Sequence, residues 1–290
     1  MLDSSIAALD IGGTKITSGR YSFSCLNDGV MEAVETLPFC AQGSAKEILA
    51  FIITCIDKIK LDNMVAIAIG VPSIVDVEQG IIYETINIQS WQEVSLKKDL
   101  EAHFNLPVYI NNDVNCFTVG EHLNGAGQGY KDIVGICLGT GFGAGIVSNN
   151  QLYAGHNCGA GEVGCINYLD ATIDDYCSGQ FFVKHYQESG ADLAAKARNG
   201  DTHANAAFQA FGKHLANAIT PILLMLDPQL IVIGGSVAQS FDLFIDALWQ
   251  ELNGFPLKRV IDNLNIVPSQ KSDSALLGAA HLYLTSINKA

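Results

Sequence analysis

The 290-residue chain is 49% hydrophobic and 16% charged, enough apolar material for a large core and more length than one typical domain of roughly 100–200 residues, so two lobes are expected. Its 16 basic and 30 acidic residues leave a net charge of -14. That charge repels nucleic-acid backbones and anionic membranes, excluding both as partners, while a small neutral ligand is unaffected. The longest apolar stretches, residues 64–71 and 230–235, fall far short of the roughly 20 residues that cross a bilayer. Residues 1–8 carry an acid and no basic cluster, so no signal peptide is expected and the location is read as cytoplasmic.

Residues 5–10 and 16–24 read as strands joined at Gly12-Gly13-Thr14, a hairpin whose second arm alternates apolar and polar residues. Ser44 with Glu47 forms a capping box, and Ile48, Phe51, Ile52, Cys55 and Ile59 then recur at helical spacing, predicting a helix to about Lys60. An all-apolar strand over 65–69 ends in Gly70-Val71-Pro72-Ser73, a short helix follows over 96–104, and a strand over 107–110 ends in Asn111-Asn112-Asp113. Strand C-termini are where open α/β sheets gather ligand-binding loops. A second strand-glycine-strand unit runs from Ile133 through 139–145 to Ser148. Residues 204–227 keep a helical stripe that Pro221 is expected to kink or break, a strand over 230–233 enters Gly234-Gly235-Ser236, and a final helix over 274–284 is expected to return to the first lobe. The two glycine hairpins suggest duplicated lobes.

The turn Asp10-Ile11-Gly12-Gly13-Thr14-Lys15 joins two strands, so its glycines can adopt positive φ and bring backbone N–H groups to phosphate oxygens, with Thr14 and Lys15 as further donors. An ordinary tight hairpin is the alternative. Asp10 suits a magnesium ion held through water. Gly139-Thr140-Gly141-Phe142-Gly143-Ala144 has dinucleotide-fingerprint spacing but runs into an alternating segment instead of a helix, and so reads as a second phosphate hairpin. There is no GxxxxGK[ST] loop. Asp113, after a buried strand, is either a helix cap or the base that takes a proton from an attacking hydroxyl. Glu162, in the glycine-dense loop 155–165, is either a solvated acid or an acceptor for sugar hydroxyls. His156, His185 and His214 lack metal-ligand spacing. The cysteines at 25, 40, 55, 116, 137, 158, 165 and 177 form no CxxC pair and read mostly as small buried residues.

Taken together, Asp10–Lys15, Gly70–Asp76, Asn87 with Trp91, Asn112-Asp113 with Gly120-Glu121, Gly139–Gly145, Gly161-Glu162-Val163-Gly164 and Ile233–Ser236 resemble the ROK family of sugar kinases and repressors, within the actin-like ATPase superfamily. The resemblance implies an α/β fold of two actin-like (ribonuclease H-like) lobes with an interlobe sugar/ATP cleft. It implies a small N-terminal lobe of residues 1–115 plus 275–290 and a large C-terminal lobe of 116–274. By the same resemblance Asp113 is the catalytic base, and Gly12, Gly13, Thr14, Lys15, Gly139, Thr140, Gly141, Gly234 and Gly235 bind the nucleotide. Ser73, Asn87, Asn112, Asp113 and Glu162 meet the sugar. ATP and Mg2+ are the implied cofactors, a hexose 6-phosphate the product, and a homodimer the assembly.

Two departures concern the metal. The family's zinc motif, CxCGxxGCxE, is missing between Gly164 and Gly179, and Cys165 stands where a His usually ligates zinc and touches the sugar. Only the motif's tail persists, so that Asp174 occupies the place of a sugar-binding Glu. No structural zinc is expected. Glucose is the leading substrate, with N-acetylglucosamine and N-acetylmannosamine as alternatives. A sugar-sensing transcriptional regulator, which would need a DNA-binding module ahead of the first hairpin, and a non-catalytic sugar-binding protein are the readings of another class.

Overall fold

The computed structural model describes residues 4–24, 27–83, 85 and 88–287. In chain order its elements are β1 (Ser4–Ile11), β2 (Lys15–Ser24), β3 (Asn27–Pro38), α1 (Ala45–Ile59), β4 (Met64–Val71), β5 (Ile74–Asp76), β6 (Ile81–Tyr83), β7 (Glu93–Val94), α2 (Leu96–Phe104), β8 (Val108–Asn112) and α3 (Asp113–Asn124). There follow β9 (Ile133–Leu138), β10 (Phe142–Ser148), β11 (Gln151–Leu152), a 3-10 turn (Val163–Cys165), β12 (Asn167–Tyr168), β13 (Ala171–Thr172), α4 (Ile173–Cys177), α5 (Gly179–Tyr186) and α6 (Gly190–Arg198). The chain closes with α7 (Thr202–Leu226), β14 (Leu230–Gly234), a second 3-10 turn (Val237–Ser240), α8 (Phe241–Leu252), α9 (Lys258–Asn263), β15 (Asn265–Pro268) and α10 (Ser274–Ile287). Two compact units result: Met1–Gln128 with Leu152–Ala160 and Lys271–Ala290, and Gly129–Gln151 with Gly161–Gln270.

The first unit is built on a sheet of order β3-β2-β1-β4-β8. β1 is antiparallel to β2 and parallel to β4, which is parallel to β8. β1 is apolar on both faces because both are covered. Ala7, Leu9 and Ile11 pack with Ile48, Ile52 and Ile56 of α1, while Ile6 and Ala8 pack with Leu276, Leu277 and Ala280 of α10. The capping box forms as expected, Glu47 N–H donating to Ser44 Oγ at 3.3 Å and Ser44 N–H to Glu47 Oε2 at 2.8 Å. The return of the last helix to this unit is likewise as expected.

The second unit repeats the plan with a sheet of order β11-β10-β9-β14-β15. β9 is antiparallel to β10 and parallel to β14, which is parallel to β15. Its core joins Ile136, Leu138, Ile231 and Ile233 of the sheet to Phe182, Phe208, Phe211 and Phe244 of the helices. Three strands by hairpin and two more in parallel, given twice, is the ribonuclease H-like arrangement of actin-like proteins.

Of the kink or break expected at Pro221, the break does not occur: α7 runs through it to Leu226. A proline there removes one N–H from the ladder, and the buried Ile219, Ile222 and Leu223 hold the helix to the core. No described helix is long and apolar enough to cross a membrane.

Candidate functional site

In the first unit the expected site residues collect at the C-terminal ends of three adjacent strands. Asp10 of β1 pairs with Gly70 of β4, and Gly70 with Asn111 of β8. Beyond Asp10 the chain turns tightly, Gly12 N–H donating to Lys15 O at 2.9 Å. Gly12 is not in the left-handed region; its use is space, since a Cβ would lie 3.3 Å from Lys15 O. The positive-φ expectation therefore fails at this glycine. Thr14 and Lys15 are exposed. Burial pushes the Asp10 carboxyl up to about 6, against the opposing pull of Lys15.

The β8–α3 junction settles which residue is the cap. Asn112 Oδ1 accepts from Val114 N–H at 2.9 Å and Asn115 N–H at 3.0 Å, so Asn112 caps α3. Asp113 is left as the first helical residue, where the positive end of the helix favours a carboxylate. Its Oδ1 also accepts from Val114 N–H at 2.9 Å. Behind it, the buried Cys116 thiol is pushed well up by burial and then by Asp10, Asp113 and Cys158, so both carboxylates lie close to one thiol. Gly70 leaves room for this, its missing Cβ falling 3.2 Å from Asp113 Cα and 3.4 Å from Cys116 Sγ.

Ser73 is 8% exposed, with its hydroxyl donating to Tyr83 O and its carbonyl accepting from Asn112 Nδ2 at 3.4 Å. The serine hydrogen is thus committed to backbone, and the oxygen lone pairs are what it can offer a ligand. Asn87 lies outside the described residues.

The second unit holds the other expected residues in two groups. Glu162 opens the 3-10 turn that ends at Cys165. As a residue it is exposed, yet partial burial of its carboxyl, and then Asp174, raise its pKa. The Cys165 thiol is raised by partial burial and by Glu162 and Asp174, so these three groups are neighbours. Asp174, whose carboxyl burial also raises, turns to the second glycine hairpin. Its Oδ1 accepts from Phe142 N–H at 2.5 Å and its Oδ2 from Gln180 Nε2 at 3.3 Å. Among the described residues no three His, Cys, Asp or Glu side chains are grouped to hold a metal ion.

The other group surrounds that hairpin. Gly139 N–H donates to Gly141 O at 3.0 Å, and Gly179 N–H to Gly139 O at 2.8 Å. Gly139 and Gly141 also lie outside the left-handed region. Gly235 is different: its φ is +85°, and a Cβ would fall 2.4 Å from Leu138 O, so only glycine lets this turn lie on β9. Gly139 and Thr140 form one edge of a cavity of about 650 Å3. Gly179, Ser189, Gly190 and Ser236 give it a polar rim, Phe182, Ala194, Phe208 and Val237 an apolar floor, and Lys184 and Arg198 basic groups. A glycine hairpin opening onto an apolar recess of this size suits a nucleotide, phosphates at the hairpin and base in the recess. The helix-borne part of this wall, Gly179, Gln180, Ser189, Gly190 and Arg198, went unread in the sequence; the N-cap serines Ser178 and Ser189, ahead of glycines, were the available signal.

Comparison with known proteins identifies the family. The chain is 30% identical to the N-acetyl-D-glucosamine kinase of Pasteurella multocida across 95% of its own length and 98% of that protein. It is 26% identical to the glucokinase of Halalkalibacterium halodurans, covering 97% and 96%. A ROK family glucokinase from Streptomyces griseus, solved with glucose and AMPPNP, superposes with a TM-score of 0.81 at 24% identity, covering 97% of this chain and 99% of that one. The ROK family profile matches residues 6–286. The chain belongs to the ROK family.

Proposed function

We propose that the protein is an ATP- and magnesium-dependent hexose kinase that transfers the γ-phosphoryl group to a sugar 6-hydroxyl, with glucose the first substrate to test and N-acetylglucosamine or N-acetylmannosamine next. The observation that carries this reading is the place of Asp113, first residue of α3 after its cap Asn112, at the strand ends beside the Asp10 hairpin. The kinase relatives supply the substrate class. Cytoplasmic location and a homodimer complete the reading, the homodimer resting on the family resemblance.

In this mechanism the sugar's 6-hydroxyl donates its proton to Asp113 as its oxygen attacks the γ-phosphorus. The bond from that phosphorus to the β-γ bridging oxygen breaks, and ADP leaves. Ser73, Asn112, Glu162 and Cys165 orient the sugar. Gly12, Gly13, Thr14 and Lys15, with Gly139, Thr140 and Gly141, hold phosphate oxygens, and Gly234-Gly235 shape the nucleotide pocket. Asp10 fits the magnesium requirement, because a buried carboxylate held partly neutral is relieved by a nearby cation. Magnesium held near Asp10 would supply neutralisation of phosphate charge.

Replacing Asp113 with Asn removes the proton acceptor and keeps the shape. The variant is expected to lose about 1000-fold or more in kcat, in line with loss of a general base, while sugar affinity in calorimetry stays within about threefold. Unchanged turnover would remove Asp113 as the base.

A further inference from the structure

We infer that Asp174 is a positioning residue for the second glycine hairpin and not a ligand of the sugar. The inference rests on the reading of that hairpin as the ATP phosphate loop. Both carboxylate oxygens face the hairpin side: Oδ1 accepts from Phe142 N–H, and Oδ2 from Gln180 Nε2, which also donates to Thr140 O at 3.2 Å. Asp174 of α4 and Gln180 of α5 thus hold the two arms of the turn 140–142 from two successive helices, and Gly179 N–H adds a third tie at Gly139 O.

The glycines around it fit the same role. A Cβ at Gly141 would come 2.9 Å from Asp174 Oδ1, and one at Gly164 would come 3.4 Å from the same atom and 2.5 Å from Phe142 O. Glycine at 141 therefore makes space for the carboxylate, and glycine at 164 for the Phe142 carbonyl beside it. An aspartate, one methylene shorter than the glutamate that the family resemblance predicts here, keeps its charge beside the backbone it serves. Fixing the turn before ATP arrives removes part of the ordering cost that phosphate binding would otherwise carry. Sugar recognition in this unit then falls to Glu162 and Cys165.

The test compares Asp174→Ala, Asp174→Asn and Gln180→Ala with the unmodified protein. Calorimetry measures the affinity for AMPPNP with magnesium and, separately, for the sugar that supports turnover. Asp174→Ala is expected to weaken AMPPNP about tenfold or more, the scale of a lost charged hydrogen bond, with sugar affinity within about twofold. Asp174→Asn keeps an acceptor for Phe142 N–H and is expected to recover most of the loss, with Gln180→Ala between the two. Weakened sugar binding with unchanged AMPPNP binding would make Asp174 a sugar ligand and overturn the inference. Equal loss of both ligands without rescue by Asn would overturn it as well. If the unmodified protein bound no AMPPNP, the nucleotide-site reading itself would fall.

Discussion

Asp10 places a carboxylate where burial opposes its charge, with a pKa of about 6 against 3.8 for an unperturbed group. Between those values the folded chain holds a proton that the unfolded chain releases, so acidification through this window stabilises the fold; above pH 6 the cost is fully present. At about 1.4 kcal/mol per pKa unit the cost is about 3 kcal/mol at most. Asp10→Asn should therefore melt roughly 3–6 °C above the unmodified apo-protein at pH 7.5, with the difference shrinking toward pH 5. A difference independent of pH would contradict the assignment. The same substitution should lower turnover with ATP and magnesium, separating what the residue does for chemistry from what it does for stability.

The pair Gly120-Glu121 works at the scale of elements. A Cβ at Gly120 would lie 1.8 Å from Ser274 O, and one at Gly278 would lie 1.7 Å from Cys116 O, so α3 and α10 cross backbone on backbone. Glu121, fully buried, accepts from Ser274 Oγ at 2.6 Å and from Ala126 N–H at 3.0 Å, tying the start of α10 to α3. Gly278→Ala should cost about 3 kcal/mol or more, beyond ordinary overpacking because the clash is with backbone. It should also lower kcat by displacing α3. A melting temperature within 1–2 °C of the unmodified protein, about the spread of a surface substitution, would refute the close crossing.

Element by element, legibility followed chemistry with a local pattern. The hairpins, the capping box at Ser44 and the junction at Asn112 were readable because glycine placement, side-chain caps and strand alternation are short-range signals. β3 was not, since Val30 and Val34 are 60% and 50% exposed on an edge strand without a continuous apolar face. The excursion of residues 152–160 into the first unit escaped notice for another reason. It is held by tertiary contacts such as Cys158 Sγ to Asn111 Oδ1 at 3.2 Å, and spacing along the chain carries no trace of these. The turn of Asp174 toward the hairpin was hidden likewise, because only the folded arrangement shows which neighbour a short carboxylate reaches.

For the whole molecule, the expected site residues are distributed over two units of one topology. The first carries Asp10, Ser73, Asn112 and the proposed base Asp113, while the second carries the nucleotide-sized cavity with Glu162, Cys165 and Asp174. The net charge of -14 leaves binding of a neutral sugar unaffected. The most direct test is ADP release with ATP and magnesium against glucose, N-acetylglucosamine, N-acetylmannosamine, mannose and fructose, with the product's phosphorylated position read by NMR. One ADP per sugar 6-phosphate is expected on at least one hexose, and none with Asp113→Asn. Saturable sugar binding without any ADP release would contradict it and make the protein a sensor or a sugar-binding protein.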